Sequence, residues 1–227
     1  MTLLFEIKDL TGGYSGTNVV FDVSAKIDRG GILGVFGRNG VGKSTLARLA
    51  NGGLPPSGGQ ILLDGDRIEE LPAFMRRELG IGFMPQESLV FDNLSVRENL
   101  YIGTIGESPG LYFDRFPVLA RRLDQIAGAM SGGERKILSF VRSMIEDTRL
   151  VILDEPSEGV QSENINLMAT CLKERAAKGA GIMIFEQNLG FLASVADHFL
   201  GLDAGRAVYS EPSSNSSETE IRAILAL

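Results

Sequence analysis

A glycine-rich segment with a single lysine constrains this chain more than any other stretch. It occupies residues 37–45 and has the sequence Gly-Arg-Asn-Gly-Val-Gly-Lys-Ser-Thr. The apolar run Ile32–Phe36 precedes it, and residues 46–50 follow with the composition of a helix. Strand, glycine loop and helix in this order are the context in which the pattern G-x-x-x-x-G-K-[ST] predicts a phosphate site instead of an ordinary turn. Residues 37–45 are called the glycine loop below.

Each residue type in the glycine loop has a physical task. Glycines let the backbone curl so that successive N–H groups point into one concavity, and the helix N-terminus adds its positive dipole end. Lys43 supplies a full charge for the β- and γ-phosphates, and the Ser44 hydroxyl is a natural Mg²⁺ ligand. We therefore expect a nucleoside triphosphate to bind here. The predicted binding residues of the loop are Gly37, Asn39, Gly40, Gly42, Lys43, Ser44 and Thr45.

Composition narrows the remaining possibilities. The chain has 227 residues and a net charge of −7, so no excess of Lys and Arg exists to neutralise nucleic-acid phosphates, and no nucleic-acid partner is expected. The single cysteine, Cys171, excludes an internal disulfide and is expected to be a buried helical residue. No run approaches the roughly 18 apolar residues of a membrane span, and the first residues lack a signal-peptide pattern, so we expect a cytoplasmic protein.

Strand and helix patterns interleave along the chain. Alternating runs at 4–10 and 19–27, separated by a glycine-rich turn at 12–16, predict an antiparallel region. Residues 60–63 and 81–84 predict short strands separated by a charged segment, and residues 95–147 are helical in pattern. Apolar runs at 150–153 and 182–185 predict strands buried on both faces of a parallel sheet, joined by a helix over 161–178. The interleaving predicts an α/β fold.

The helix after Ser131 has the clearest pattern. Its apolar residues recur at helical spacing, and the same spacing places Arg135, Lys136, Arg142 and Glu146 on the outer face. After residue 196 we expect two short strands, a serine-rich loop and a small terminal helix from about residue 218.

Two carboxylates, Asp154 and Glu155, follow the apolar run at 150–153. They lie at the C-terminal tip of a buried strand, where ligands of open α/β sheets collect. Alone, this pattern describes a solvated strand end equally well. Downstream of a glycine loop it predicts that Asp154 holds Mg²⁺, directly or through water, and that Glu155 orients the attacking water.

The sequence Met-Ser-Gly-Gly-Glu at 130–134 predicts a second phosphate surface. Ser131 and Glu134 fit a capping box at the start of the following helix. A cap does not require the glycines Gly132 and Gly133, which expose N–H groups at a helix start and so form an anion site. Residues 131–133 are called the Ser-Gly-Gly motif below.

Four segments follow one another along the chain: the glycine loop, Met84-Pro85-Gln86, the Ser-Gly-Gly motif, and Leu-Asp-Glu-Pro at 153–156. In this order and spacing they resemble the ATP-binding subunit of an ABC transporter, and the resemblance covers essentially the whole chain. The resemblance implies one ABC ATP-binding domain over 1–227. This domain is an α/β P-loop NTPase core with a mainly parallel sheet, an N-terminal antiparallel β subdomain, an inserted helical subdomain at about 87–140 and a terminal helix at 218–227.

The same resemblance implies ATP and Mg²⁺ as cofactors and a head-to-tail pair of subunits, which are either two copies of this chain or this chain and a sister ATPase. Each ATP lies between the glycine loop of one subunit and the Ser-Gly-Gly motif of the other, which explains two phosphate surfaces on one chain. Transmembrane permease subunits are the implied partners. The protein would contact the membrane only through them, on its cytoplasmic face.

Other site residues follow from the resemblance one position at a time. Tyr14 corresponds to an aromatic residue that stacks on adenine, or is a turn residue packed on the sheet. Gln86 corresponds to a glutamine that touches Mg²⁺ and senses the permease. Phe91, Leu94 and Val96 either line the groove that receives the permease or belong to the core.

A narrower resemblance lies in residues 154–159 (Asp-Glu-Pro-Ser-Glu-Gly), 186–188 (Glu-Gln-Asn) and the pair Phe116-Pro117. Together they are similar to the ATPases of branched-chain amino acid uptake, or to the related urea and amide branch. Gln187 occupies the position of the family's switch histidine, and Gln161 that of an aspartate. His198, the one histidine, is expected to be structural.

These observations predict an ATPase motor of an importer, with Lys43, Glu155 and Gln187 as its catalytic residues. Gln187 can donate a hydrogen bond to a phosphate oxygen but cannot take up a proton, which leaves Glu155 as the nearby base. Two alternatives stay open: an ABC ATPase without a membrane partner, for example in cofactor assembly, and a switch that dimerises on ATP without turnover, against which the intact Asp-Glu pair argues.

Overall fold

A computed structural model describes residues 2–102, 106, 108–216 and 221 of the chain. Its strands are β1 (Leu3–Tyr14), β2 (Thr17–Asp28), β3 (Ile32–Phe36), β4 (Pro56–Leu63), β5 (Asp66–Arg67), β6 (Ile81–Met84), β7 (Leu150–Asp154), β8 (Gly181–Glu186), β9 (His198–Asp203) and β10 (Arg206–Pro212). Its α-helices are α1 (Lys43–Asn51), α2 (Ala73–Glu78), α3 (Val96–Tyr101), α4 (Pro117–Arg121), α5 (Gly132–Ile145), α6 (Ser162–Ala177) and α7 (Leu189–Val195). The predicted α/β class is confirmed.

Strands β2, β1, β4 and β5 form a small antiparallel sheet in this order. The predicted turn at 12–16 is wrong in extent, because β1 continues through Tyr14 and the turn contains only Ser15 and Gly16. A side chain at Gly13 would place its Cβ 2.0 Å from the Thr17 carbonyl oxygen. The glycine therefore permits close strand pairing there, and it does not mark the bend.

The large sheet has the order β10-β9-β3-β8-β7-β6. The strands β9, β3, β8, β7 and β6 run parallel, and β10 pairs antiparallel at one edge. In its register Phe36 is opposite Glu186, and Phe185 is opposite Asp154. The carboxyl ends of β3, β8 and β7 therefore meet at one edge, and the loops that follow them converge there.

Two apolar cores flank the large sheet. One contains α1 and lies between the two sheets, and the other packs helices α5, α6 and α7 and the helical insertion against the opposite face. The helical pattern predicted for 95–147 is interrupted in the structure: short 3-10 turns at Pro109–Tyr112 and Ala127–Ala129 separate α3, α4 and α5. Val96 belongs to this core, Leu94 is half-buried and Phe91 is exposed.

The charged segment at 66–79 contains β5 and α2, which sequence reasoning missed. Arg76 of α2 is buried, and its guanidinium donates to the main-chain oxygens of Leu49 and Ala50 at 2.8 and 2.9 Å. It therefore caps the C-terminal end of α1, where carbonyl groups lack helical partners. Burial lowers the pKa of Arg76 to about 10.

Lys136 corrects a second expectation from the sequence. The helical pattern placed it on the outer face of α5, but its side chain is buried and its ammonium donates to the Gln86 carbonyl oxygen at 2.7 Å. A main-chain acceptor from another segment, which the pattern of α5 cannot show, makes this burial possible.

The remaining expectations concern the end of the chain. Cys171 is buried in α6, as predicted. His198 begins β9 opposite Leu33, at the amino end of β3, so it lies at the sheet edge away from the glycine loop. Of the terminal helix predicted from about 218, Ile221 is described and packs in the core, and the rest lies outside the described residues. No helix among the described residues is long and apolar enough to cross a bilayer.

Candidate functional site

The glycine loop connects β3 to α1 in the predicted strand-loop-helix arrangement. Gly40 and Gly42 have φ angles of 80° and 108°, in the left-handed region that glycine adopts at low cost. Gly42 is also the N-cap of α1 and offers no side chain to the first helical N–H groups. These N–H groups are therefore available to an anion at the start of the helix.

Lys43 is buried beneath the glycine loop. Its ammonium donates to the carbonyl oxygens of Gly37 and Arg38 at 2.9 and 3.0 Å. It also lies 3.4 Å from Glu155 Oε1. The lysine charge is thus held inside the curve of the loop, where a phosphate group would meet it.

Asp154 provides a test of the Mg²⁺ prediction. Its carboxylate is buried, Oδ1 has no hydrogen-bond partner, and the Ser44 hydroxyl hydrogen-bonds the same group. Burial raises the pKa of Asp154, and the Ser44 hydrogen bond opposes that rise. A buried carboxylate oxygen without a partner is costly unless a cation meets it. The residues therefore fit Mg²⁺.

The site offers few protein ligands for a metal. Among the residues that the structure describes, no group of three or more His, Cys, Asp and Glu side chains is arranged to hold a metal ion. Mg²⁺ at nucleotide sites commonly uses one or two carboxylates together with substrate phosphates. Asp154, Ser44 and Gln86, the predicted ligands, would form such a smaller set, and the phosphates would supply the remaining ligands.

Glu155 is held from several sides. Its backbone has a φ of 49°, which is uncommon for a residue other than glycine, and its N–H donates to the Phe185 carbonyl oxygen at 2.8 Å. Its carboxylate accepts from the Gln86 amide at 2.9 Å and from the Gln187 amide at 3.3 Å. Backbone conformations of this kind concentrate at functional sites, where the surroundings enforce them.

Gln187 lies between Glu155 and the glycine loop. Its side-chain amide donates to Glu155 Oε1 at 3.3 Å and also to the Asn39 side-chain oxygen. The structure thus brings four predicted residues, Lys43, Gln86, Glu155 and Gln187, to one carboxylate-centred cluster. Residues 39, 40 and 42–45 line a cavity of about 160 Å³ together with Gln86, Glu155 and Val19 of β2, and it is called the glycine-loop cavity below. Sequence reasoning did not find Val19.

Glu186 is a second residue that sequence reasoning missed. Its buried carboxylate accepts from the backbone N–H groups of Ser157, Gln187 and Asn188 at 2.7, 3.1 and 3.2 Å. It therefore ties the loop after β7 to the loop after β8. The available signal was a carboxylate directly after the apolar run at 182–185, the same pattern that identified Asp154.

The Ser-Gly-Gly motif begins α5 with the predicted capping box. Ser131 Oγ accepts from the Glu134 N–H at 3.3 Å, and the Glu134 carboxylate accepts from the Ser131 N–H at 3.0 Å. Ser131 and Gly132 are exposed, and a Cβ at Gly132 would meet no atom within 4 Å. The start of this helix is open to an incoming anion.

The glycine loop and the Ser-Gly-Gly motif line different cavities of the chain. Ser131 and Gly133 border a cavity of about 760 Å³ between α4 and the start of α6, which contains no residue of the glycine loop. Gln161 borders the same cavity. One chain therefore presents the two predicted phosphate surfaces separately.

Tyr14 is not among the residues that line the glycine-loop cavity. It lies at the tip of the β1–β2 hairpin, opposite Thr17, and its side chain is exposed. An exposed aromatic ring is available for stacking, so its contact with adenine stays a prediction.

Comparison with known proteins adds a family to this geometry. A profile of the family described as ABC transporter matches residues 20–158. The probable branched-chain amino acid transport ATP-binding protein LivF of Archaeoglobus fulgidus is 32% identical, over 93% of both chains. The lipopolysaccharide export system ATP-binding protein LptB of Escherichia coli K12 is 29% identical, over 88% of this chain and 87% of that protein.

A solved structure, described as the ATP binding subunit of an ABC transporter, superposes with a TM-score of 0.84 at 29% identity, over 99% of this chain and 100% of that one. The two proteins thus share one fold over 99% of this chain. The chain belongs to the ABC transporter family, as an ATP-binding subunit that hydrolyses ATP to drive transport.

Proposed function

We propose that this chain is the ATPase of an importer of branched-chain amino acids or related small polar solutes. In this proposal two ATP-binding subunits close on ATP and Mg²⁺ beneath a membrane permease. The observation that carries the mechanism is the convergence of Lys43, Gln86 and Gln187 on the Glu155 carboxylate, within 3.4 Å.

Nucleotide binding follows from the glycine loop. Its backbone N–H groups surround the phosphates, and Lys43 replaces part of its present contact with Glu155 by a contact with a phosphate oxygen. Tyr14 stacks on the base. Ser44, Asp154 and Gln86 would hold Mg²⁺, which neutralises charge on the phosphates during transfer.

Hydrolysis follows from the position of Glu155. Its carboxylate accepts hydrogen bonds from two amides and lies beside a buried cation, so its orientation is fixed before substrate arrives. From there it orients and polarises the attacking water as general base. Gln187 donates to the developing charge on a phosphate oxygen and does not exchange a proton.

The separate positions of the two phosphate surfaces support a head-to-tail dimer. The Ser-Gly-Gly motif is exposed and borders a cavity without any glycine-loop residue, so it does not contact a phosphate that is bound at its own chain's Lys43. A second subunit, facing the opposite way, places that motif on the γ-phosphate. Both ATP molecules are then buried between the subunits.

Exposed aromatic side chains on α2 and on the helical insertion support docking to a permease. Phe74 of α2 is 67% exposed, and Phe91 is 48% exposed. Both aromatic residues lie near the C-terminal end of α5. Arg77 of α2 pairs at 2.8 Å with Glu146, the residue directly after α5, and the Arg142 guanidinium of α5 lies 5.1 Å from the centre of the Phe91 ring. We propose that this surface receives a cytoplasmic segment of the permease, which places the ATPase at the inner face of the membrane.

A transport assay tests the identity of the solute. Deleting the gene in its host and measuring uptake of labelled leucine, isoleucine and valine should show a loss that the wild-type gene restores and Lys43→Ala does not. Normal amino acid uptake combined with a defect in surface lipopolysaccharide would contradict import and support export, the activity named for the LptB relative. Normal uptake and an unchanged envelope would favour an ABC ATPase without a membrane partner.

A further inference from the structure

Lys136 is a buried cation that the proposed mechanism does not use. It lies in the second turn of α5, with 4% of its surface exposed. Its ammonium donates to the Gln86 carbonyl oxygen at 2.7 Å and lies 3.9 Å from Glu158 Oε2. An ammonium is costly to bury, so these partners account for its position.

The contacts of Lys136 belong to a network of hydrogen bonds and ion pairs around the Glu155 carboxylate. Lys136 holds the main chain of Gln86, and the Gln86 side-chain amide donates to Glu155 Oε2 at 2.9 Å and lies 3.4 Å from Glu158 Oε2. Glu158 in turn faces the Lys136 ammonium. The main-chain atoms of Gln86 that Lys136 fixes are therefore the anchor of the side chain that orients Glu155.

We propose that Lys136 is a positioning residue for ATP hydrolysis, which sets the Gln86 amide against Glu155 by fixing the Gln86 main chain to α5. The proposal rests on the functions given to Gln86 and Glu155 above. Because α5 begins at the Ser-Gly-Gly motif, the same contact connects that motif to the catalytic carboxylate of its own chain. A displacement of α5 in the closed dimer would therefore reach Glu155 through Lys136.

Electrostatics support this assignment. Burial lowers the pKa of Lys136, and the negative charges that oppose the shift are first Glu158 and then three other carboxylates of the site, Glu186, Glu155 and Asp154. Lys136 thus faces the acidic cluster from the α5 side, as Lys43 faces Glu155 from the glycine loop.

The first test is steady-state kinetics of Lys136→Met. This variant keeps a long apolar stem and removes the donor. We expect kcat to fall roughly tenfold, as for other residues that orient a catalytic ligand, while the KM for ATP changes less than about twofold. Unchanged kcat in a folded variant would overturn the proposal.

Ser139→Ala is the matched control. Ser139 lies one turn further along α5, and its hydroxyl accepts from the Leu89 N–H at 3.1 Å, so it anchors the same loop beyond Gln86. If Lys136 acts only as a general anchor of this loop, the two variants should lose turnover alike. The proposal predicts near-normal kcat for Ser139→Ala, and an equal loss in both variants would contradict it.

A double-mutant cycle with Gln86→Ala identifies the route of the effect. If Lys136 acts through Gln86, adding Lys136→Met to Gln86→Ala should reduce kcat no further. Multiplicative losses would overturn the inference and leave the proposed function intact. Full turnover in Gln86→Ala alone would instead refute the function given to Gln86, so the two failures are distinguishable.

A second variant keeps the test possible if Lys136→Met does not fold. If circular dichroism shows that Lys136→Met is unfolded, the cycle is measured with Lys136→Gln. The glutamine side chain is one bond shorter, so its amide stops short of the Gln86 carbonyl but remains a polar neighbour for Glu158. The kcat of Lys136→Gln is interpreted in the same way. No further loss of kcat in the Gln86→Ala background supports the inference, and a multiplicative loss of kcat overturns it.

Discussion

The glycine loop and the Ser-Gly-Gly motif both present the N-terminus of a helix to an anion, yet their surroundings differ. The glycine loop encloses a buried lysine, and a buried aspartate oxygen without a partner lies beside it. The Ser-Gly-Gly motif is exposed, and the charged side chain nearest its start, Glu134, is already paired with Arg122 at 3.0 Å. The first surface holds charges for a ligand, whereas the second offers mainly backbone N–H groups.

This difference indicates that the two surfaces contribute to different steps, ATP binding and dimer closure. A helix N-terminus alone attracts an anion weakly at an exposed position, because solvent and salt screen its dipole. The glycine loop adds a full charge in a water-poor site and should bind ATP on its own. The Ser-Gly-Gly motif should contribute after a second chain excludes water around it. Changes on the two surfaces should therefore have different consequences.

The largest effect on ATP affinity is expected at the glycine loop. Lys43→Ala removes the buried cation, and losing a charged hydrogen bond of about 3 kcal/mol weakens ATP binding by roughly 100-fold. Arg48→Ala, which removes an exposed cation from the same helix, is the control and should bind normally. Isothermal titration with ATP measures both. Equal affinity in Lys43→Ala and wild type would mean that the glycine loop does not bind the phosphates.

An effect on hydrolysis, and not on ATP affinity, is expected from Gln187→Ala. Loss of one donor to the transition state commonly costs about 10²–10³ in rate, so kcat should fall by that factor while ATP affinity stays nearly constant. Gln187→His keeps an N–H donor and should retain much of the activity. Single-turnover hydrolysis separates the two steps, and full turnover in Gln187→Ala would show that this position is structural.

The smallest effect is expected in stability, from Asp154→Asn. Burial raises the folded-state pKa of Asp154, so its ionised form destabilises the free chain, and that cost appears as pH rises above the ordinary value of 3.8. Asp154→Asn removes the charge and should raise Tm at pH 7 by about 2–4 °C for each 1 kcal/mol regained.

The same substitution should abolish the additional stabilisation that Mg²⁺ gives in the presence of ATP. Thermal melts of wild type and Asp154→Asn, with ATP and with either Mg²⁺ or EDTA, measure both effects. A lower Tm in the free variant would contradict the unpaired state of Asp154. A retained Mg²⁺ effect would place the metal elsewhere.

The parts of the site that could be predicted are those in which local sequence determines geometry. The glycine loop requires positive φ angles at Gly40 and Gly42, and a capping box requires Ser131 and Glu134 at fixed spacing. The strand end at Asp154 follows from a continuous apolar run. In each case the residues that form the feature are neighbours in the chain.

The parts that sequence missed depend on acceptors from distant segments. Lys136 and Arg76 are residue types that usually lie at the surface. The main-chain oxygen of Gln86 makes the burial of Lys136 possible, and main-chain oxygens at the end of α1 make the burial of Arg76 possible. Glu186 likewise owes its burial to three N–H groups, one of them at Ser157 in another loop. No periodicity marks such partners, so the sequence pattern of α5 predicted an exposed Lys136.

In the proposed dimer the two phosphate surfaces meet only between two chains. Glu155→Gln keeps a polar group beside Lys43 and removes the base, so ATP should bind without hydrolysis and hold the dimer closed. Ser131→Arg places a bulky cation at the start of α5, where it blocks the approach of the partner's γ-phosphate.

Sedimentation velocity of Glu155→Gln with and without ATP and Mg²⁺ tests this claim most directly. We expect monomers of Glu155→Gln without ATP and dimers with it. For the double variant Glu155→Gln/Ser131→Arg we expect monomers in both conditions, with an ATP affinity by titration that stays close to that of Glu155→Gln. ATP-dependent dimers in the double variant, or a Glu155→Gln protein that remains monomeric with saturating ATP, would contradict it.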